Sequence, residues 1–95
     1  MLEETKKPFL WDFKKNSQLQ AERGISFRTA VRAIRDGKIL NVIEHSDKAK
    51  YPLRQIFILE VDQYVYLVPF IESSENIYLE TIIPNMKMRK KYYGA

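Results

Sequence analysis

The fold is decided by QIFILEVDQYVYLVPF, residues 55–70. Two β-rich runs, 55–61 and 64–70, are separated only by Asp62-Gln63, which is the spacing of a tight hairpin. The run 39–45 precedes this hairpin, and the run 77–83 follows it after a polar turn. Four such runs in succession predict an antiparallel β-meander.

The first third of the chain has helical spacing instead. Apolar residues recur at a helical period within 26–36, and Ser26 is placed to act as the N-cap of that helix. Helix formers fill 13–22, and Gly24 is suited to end this earlier helix because glycine adopts positive φ without strain. The arginines of the second helix, Arg28, Arg32 and Arg35, predict either a solvated face or a docking surface.

The order of these segments predicts the fold class. We expect an α+β domain in which an antiparallel β-meander sheet carries two N-terminal helices on one face and a short C-terminal helix from about Pro84. The run 9–12 predicts an edge strand, with Trp11 as a core anchor and Asp12 as a helix cap. The other face of the sheet is expected to be partly open.

Composition limits the class of protein. The chain has 95 residues, of which 45% are hydrophobic, which predicts a single domain over 1–95. It has no cysteine, one histidine and three glycines, so we expect no metal site, no phosphate-cradling loop and no cofactor. Its N-terminus lacks the apolar core of a signal peptide, and no apolar run reaches the roughly 20 residues that span a bilayer. These features predict a cytoplasmic protein that does not enter a membrane.

The clearest functional signal is MKMRKKYY, residues 86–93, at the end of a net positive chain of formal charge +4. Cations neutralise phosphates and aromatic rings stack on bases, so RNA is the first candidate partner. The alternative is a solvated helix tail. The candidate nucleic-acid-binding residues are Arg89, Lys90, Lys91 and Tyr92.

The remaining polar residues suit one metal-free reaction, the cleavage of RNA through attack of its own 2′-hydroxyl on the adjacent phosphate. Such cleavage requires cations against the developing charge and groups that move two protons. Lys87 supplies charge, Arg54 is placed to clamp a phosphate, and His45 is the side chain whose unperturbed pKa lies near neutrality. The alternative for His45 is an exposed histidine at a strand end.

Three blocks in order, FLWDFKKN (9–16), ERGISF (22–27) and TIIPNMK (81–87), together with Arg54 before a strand, resemble the BrnT-type toxins of bacterial type II toxin–antitoxin systems. The resemblance covers nearly the whole chain. It implies a RelE/ParE-like fold, metal-independent endoribonuclease activity on an RNA substrate, and neutralisation by a cognate antitoxin in a hetero-oligomer.

Two positions depart from the pattern of that family. Arg23 stands where the family usually has histidine, and Met86 stands where it usually has an arginine directly before the lysine. Loss of that cation weakens the expected transition-state stabilisation unless Lys87 and Arg89 replace it. Three interpretations stay open: a ribonuclease toxin, an RNA- or antitoxin-binding module of the same fold with weakened or lost catalysis, and a structural or adaptor domain unrelated to RNA.

Overall fold

The computed structural model describes residues 7–44, 47, 49–50 and 53–93, with side chains as far as Lys91. Within these residues the chain forms a compact α+β fold of one mixed six-stranded sheet and three helices. In chain order the elements are β1 (Phe9–Leu10), α1 (Phe13–Arg23), α2 (Phe27–Arg35), β2 (Ile39–Glu44), β3 (Arg54–Val61), β4 (Tyr64–Glu72), β5 (Ile77–Leu79), β6 (Ile83–Pro84) and α3 (Met86–Tyr93).

The sheet is mixed, which corrects the prediction of a wholly antiparallel one. The strands lie in the order β1-β5-β4-β3-β2, and β6 also pairs with β4. The strands β2 to β5 run antiparallel to their neighbours in the chain, but β1 lies parallel to β5 at the edge. Strand β1 is only two residues long, and no turn joins it to β5. Its direction therefore follows from how the chain continues into α1, for which the local sequence gives no signal.

The predicted hairpin between β3 and β4 is present and turns at Asp62 and Gln63. Both residues have positive φ, 53° and 65°. This pair of left-handed residues is the signature of a type I′ turn, whose twist matches that of the flanking strands. The ladder then runs from Val61 opposite Tyr64 to Arg54 opposite Ile71.

The predicted run 77–83 divides into two strands because of Pro69 in the middle of β4. The N–H and C=O of a strand residue point to the same side, so Pro69 offers the strand beside it an acceptor but no donor. Its carbonyl accepts from the N–H of Glu80, 2.9 Å away. Three residues, 80–82, then lie opposite two residues of β4, 68–69. The extra residue makes a β-bulge between β5 and β6.

Both N-terminal helices begin at the caps that the sequence predicts. The carboxylate of Asp12 accepts from the N–H of Lys15 at 2.8 Å, and the hydroxyl of Ser26 accepts from the N–H of Thr29 at 3.2 Å. Gly24 closes α1 with a φ of 68°. These contacts confirm the predicted helix starts and the predicted end of α1.

The hydrophobic core lies between α1, α2 and one face of the sheet. Trp11 stacks on Phe27 with ring centroids 5.8 Å apart, so its ring is part of the wall of this core. The buried members are Leu19, Ile25, Phe27, Ala30, Val31, Ala33, Ile34, Phe57, Leu59, Val68, Phe70, Ile77, Leu79 and Ile82. The opposite face of the sheet keeps several apolar side chains partly exposed, among them Leu10, Tyr78 and Ile83.

Candidate nucleic-acid interface

The C-terminal helix is attached to the hairpin end of β4. The N–H of Asn85 donates to the carbonyl of Val65 at 3.1 Å, and the side-chain oxygen of Asn85 accepts from the N–H of Met88 at 2.9 Å. Asn85 is therefore the N-cap of α3 as well as its anchor to the sheet. The predicted C-terminal helix is present, although Pro84 belongs to β6 and the helix begins at Met86.

Tyr64, the first residue after the hairpin turn, holds α3 in place. Its hydroxyl donates to the sulfur of Met86 at 3.0 Å, and the guanidinium of Arg89 lies 5.9 Å from the centroid of its ring. Arg89 also donates from Nε to the carbonyl of Gln63 at 3.2 Å. The ring of Tyr66 lies 5.3 Å from that of Tyr64. An aromatic pair thus lies directly beside the basic helix.

The cations of α3 divide between two directions. Arg89 is half-buried and points at the hairpin, whereas Lys87, Lys90 and Lys91 are exposed. These lysines are three and four residues apart, so they share one side of the helix and repel one another. The helix itself contains no acidic residue. An anion bound along this side relieves the repulsion, and a phosphate chain fits that requirement. Tyr92 lies in α3, but its side chain falls outside the described part.

Arg54 lies far from α3, at the other end of the hairpin. It begins β3 opposite Ile71, seven residues from the turn end where Val61 pairs with Tyr64. At about 3.3 Å per residue this separation is roughly 23 Å. The structure therefore does not bring Arg54 and Lys87 together, and the two cations cannot contact one phosphate. His45 lies outside the described residues.

Arg54 is also engaged by an acidic side chain. Its Nη2 lies 2.6 Å from Oε2 of Glu80, and its Nε contacts Oε1 of the same carboxylate. The neighbouring surface groove, of about 420 Å³, is lined by the further carboxylates Glu44 and Glu72, the latter paired with Lys7 at 2.7 Å. This end of the sheet therefore attracts anions much less than α3 does.

Arg23, at the position where the resembled family has histidine, ties α1 to the bulge. Its guanidinium donates to the carbonyl of Ile82. That contact gives Arg23 a structural role, because the carbonyl of Ile82 lies in the bulge, where it accepts a hydrogen bond from Arg23 and not from β4. The sequence carries no signal for it, since the two residues are 59 positions apart.

Tyr66, beside Tyr64 in β4, has a clearly shifted proton affinity. Burial raises the pKa of Tyr66 above its usual value of 10.0, and the nearby Tyr64 and Asp62 raise it further. The phenol therefore keeps its proton at neutral pH and is available as a donor to an anion. Tyr64 and Tyr66 are two residues apart in β4 and so share one face of the strand, but no local signal in the sequence links them to α3.

Comparisons with protein-family models, with curated proteins and with solved structures find no match to this chain. In the part of the chain that the structure describes, no helix is long and apolar enough to cross a membrane. The same residues contain no cluster of three or more histidine, cysteine or acidic side chains able to hold a metal ion. The fold and the site define an α+β domain with a basic, tyrosine-backed helix at one end of its sheet.

Proposed function

We propose that this protein is a BrnT-like, RelE-related toxin, a metal-independent endoribonuclease that binds single-stranded RNA along α3 and is neutralised by a cognate antitoxin in a hetero-oligomer. The observation that carries the proposal is the helix itself. Its lysines Lys87, Lys90 and Lys91 repel one another on one side, while Tyr64 and Arg89 fix the helix to the sheet. The resemblance of the sequence to BrnT-type toxins supports the same conclusion.

Cleavage at this surface needs little machinery. The nucleophile is the 2′-hydroxyl of the RNA, which gives its proton to solvent water as the new O–P bond forms and the bond from phosphorus to the 5′ oxygen breaks. The protein stabilises the phosphorane charge and supplies a proton to the leaving 5′ oxygen. In this scheme Lys87 supplies charge, and Tyr66, whose ring lies 5.3 Å from that of Tyr64 and whose hydroxyl keeps its proton at neutral pH, is a candidate proton donor. Arg54 contacts a different phosphate of the same strand. At a rise of about 3.4 Å per nucleotide, the roughly 23 Å from Arg54 to the hairpin turn beside α3 corresponds to about seven stacked nucleotides.

A second candidate function is an RNA- or antitoxin-binding module of the same fold with weakened or lost catalysis. Two observations favour it: the carboxylate of Glu80 already occupies the guanidinium of Arg54, and Met86 stands where the family has a cation. RNA binding is common to both candidates, so cleavage in the presence of EDTA separates them. Cleavage supports the toxin, and tight binding without cleavage supports the module.

The binding step is tested by the salt dependence of affinity for a single-stranded RNA. If the three exposed lysines Lys87, Lys90 and Lys91 meet phosphates, the slope of log K against log salt should be about −2, since each contact contributes about 0.7 on a single strand. Replacing Lys87 and Lys90 by glutamine should reduce the magnitude of the slope by about one to two units. The matched control, Lys14→Gln with Arg32→Gln, removes the same charge elsewhere and should leave the slope unchanged. A slope near zero rejects the proposal.

The antitoxin part of the proposal concerns the open face of the sheet. Leu10, Tyr78 and Ile83 are each 39–44% exposed there, an apolar surface that a partner is expected to cover. The product of the neighbouring gene is the candidate. Co-expression should raise the yield and the thermal stability of the protein. The absence of association at micromolar concentration in low salt contradicts this part alone.

A further inference from the structure

A basic groove lies between β1 and α2, away from the basic helix α3. Its volume is about 340 Å³, and its described walls are Pro8, Phe9, Trp11, Arg28, Val31 and Arg35. Two of these side chains are cations and none is a carboxylate. The groove therefore combines an apolar floor with a positive charge that its own walls do not balance, a combination that suits an anionic partner with apolar parts.

The two arginines of this groove stand on one side of α2. They are seven residues apart, about 10.5 Å along the helix axis, and both are exposed. Arg35 lies over the ring of Phe9, 5.5 Å from its centroid. Among the described residues, no carboxylate forms an ion pair with Arg28 or Arg35. Both guanidinium groups thus keep donors for a bidentate contact with an anionic group.

Among the strands of the described residues, β1 is at the edge of the sheet, and the groove lies beside it. In the parallel pairing of β1 with β5, the carbonyl of Pro8 accepts from the N–H of Ile77 at 3.0 Å. Strand residues alternate in direction, so the N–H and C=O of Phe9 point away from β5, towards the outside of the sheet. Leu10 projects to the opposite face and is 44% exposed. A strand added at this edge would have the arginines on one side and apolar surface on the other.

We propose that this edge and groove bind an extended, acidic segment of a partner protein, in which acidic and apolar residues alternate. The segment adds to β1 through the main chain of Phe9. Its acidic side chains face Arg28 and Arg35, and its apolar side chains face Leu10 and Tyr78. Residues on one side of a strand are about 6.6 Å apart, and two such steps are about 13 Å, so flexible guanidinium groups span either spacing.

The covered rings favour a protein segment over a nucleic acid here. Single-stranded nucleic acids bind most strongly where aromatic faces are open to stacking. In this groove, Arg35 already covers one face of Phe9, and Phe27 covers one face of Trp11. The groove shares no residue with α3, so this binding site does not depend on the proposed binding and cleavage of RNA. It shares Leu10 and Tyr78 with the face proposed to bind the antitoxin, and so adds a second contact, through Arg28 and Arg35, to that part of the proposal.

The proposal is tested with a fluorescein-labelled synthetic peptide of alternating Glu and Val residues. Binding is followed by fluorescence anisotropy, and by NMR with the ¹⁵N-labelled full chain. We expect the amide of Phe9 and the guanidinium signals of Arg28 and Arg35 to shift. The pair Arg28→Gln and Arg35→Gln should weaken binding about tenfold or more, as for charge-assisted contacts. A matched peptide with Lys in place of Glu should not bind.

Two further variants separate recognition from folding. Arg32→Gln changes a charge of the same helix that lines a different groove, and should leave peptide affinity unchanged. Replacing Arg28 and Arg35 by lysine keeps the charge and should retain part of the affinity. If the glutamine pair lowers the melting temperature, the lysine pair still tests the site. Full affinity in the glutamine pair, or no peptide binding to the wild-type chain, overturns the proposal.

A decauridine RNA distinguishes this site from α3. We expect the RNA to shift the NMR signals of amides in α3 and to leave the signal of the Phe9 amide unchanged. The peptide should shift the Phe9 signal and leave those of α3 unchanged. RNA shifts at Phe9 and Arg28 would overturn the choice of a protein partner. If RNA fails to bind while the peptide shifts Phe9, the proposed function fails and the groove stands. If RNA shifts α3 and the peptide does not bind, only the groove fails.

Discussion

Arg54 of β3 and Glu80 of the bulge form a two-point ion pair, with Nη2 of Arg54 lying 2.6 Å from Oε2 of Glu80 and its Nε contacting Oε1. Their side chains are only 24% and 23% exposed. Glu80 lies in the bulge that forms opposite Pro69, so a proline in β4 determines where the carboxylate is placed. The pair therefore fastens the bulge to β3 across the face of the sheet.

The first prediction is that Arg54→Ala lowers the free energy of unfolding by about 1–3 kcal/mol, because a half-buried carboxylate loses both of its charge-assisted hydrogen bonds. Glu80→Ala should have a similar effect. Chemical denaturation measures both. A loss of ribonuclease activity in Arg54→Ala therefore indicates a role in RNA contact only if the activity is compared at a temperature where the variant is folded.

In the double variant Arg54→Ala with Glu80→Ala, the free energy of unfolding should fall by less than the sum of the decreases in the two single variants, since the two residues are in direct contact. The pair Lys7 and Glu72, whose side chains are 31% and 33% exposed, serves as the matched control. More exposed pairs contribute less, so its coupling should stay below about 1 kcal/mol. Strictly additive losses at Arg54 and Glu80 would show that the contact does not stabilise the fold.

The second prediction concerns the hairpin turn. Gln63 has a φ of 65°, a conformation that costs a side chain strain and that glycine adopts freely. Gln63→Gly should stabilise the protein by up to about 1 kcal/mol. The main-chain contacts of this residue, to Glu60 and Arg89, do not need its side chain. Gln63→Val should destabilise, and a loss of stability in the glycine variant would contradict the turn assignment.

Local chemistry explains which parts of the fold were predictable. The caps Asp12 and Ser26 satisfy N–H groups three residues away, and the Asp62-Gln63 connection joins strands adjacent in the chain. Such signals lie within a short window of sequence. The helix after residue 85 was predictable for the same reason, because Pro84 and Asn85 mark its start.

Contacts distant in the chain explain what was not predictable. The parallel direction of β1 depends on its pairing with β5. In that pairing Phe9 lies opposite Ile77, which is 68 residues later in the chain. The pairing of Arg54 with Glu80, and the separation of Arg54 from Lys87, follow from strand register and a bulge. A list of suitable cations in the sequence cannot show that two of them stand at opposite ends of a hairpin.

The third prediction is a pH dependence from Tyr66. Burial, followed by Tyr64 and Asp62, raises the pKa of Tyr66 above 10.0 in the folded protein. The folded state thus holds this proton more tightly than the unfolded state, so its stabilising effect is present below about pH 10 and is lost as pH rises through the folded pKa. Tyr66→Phe lacks this effect.

The stability difference between wild type and Tyr66→Phe should therefore stay constant up to about pH 9 and shift against the wild type as the pH rises past about 10, as measured by denaturant unfolding. Other tyrosines and lysines titrate in the same range, but they do so in both proteins and cancel in the difference. A difference that stays constant over the whole range would show that Tyr66 has the same proton affinity folded and unfolded.

The fourth prediction uses Met86, where the chain departs from the toxin pattern. A methionine that lay in the core could not be replaced by arginine without burying a charge. The structure leaves Met86 54% exposed, with its sulfur accepting from the hydroxyl of Tyr64. Met86→Arg should therefore fold with a stability within about 1 kcal/mol of the wild type. Thermal unfolding checks this.

If the proposed cleavage is correct, Met86→Arg should also raise EDTA-resistant RNA cleavage about tenfold or more, because a cation that contributes above roughly 1.4 kcal/mol to the transition state gives that factor. Met86→Gln, polar but neutral, is the matched control and should not raise the rate. Lys87→Ala should reduce the rate without a change in folding. A folded Met86→Arg protein that binds RNA more tightly and cleaves none would favour the binding module, since added charge would then improve affinity with no catalytic centre to use it.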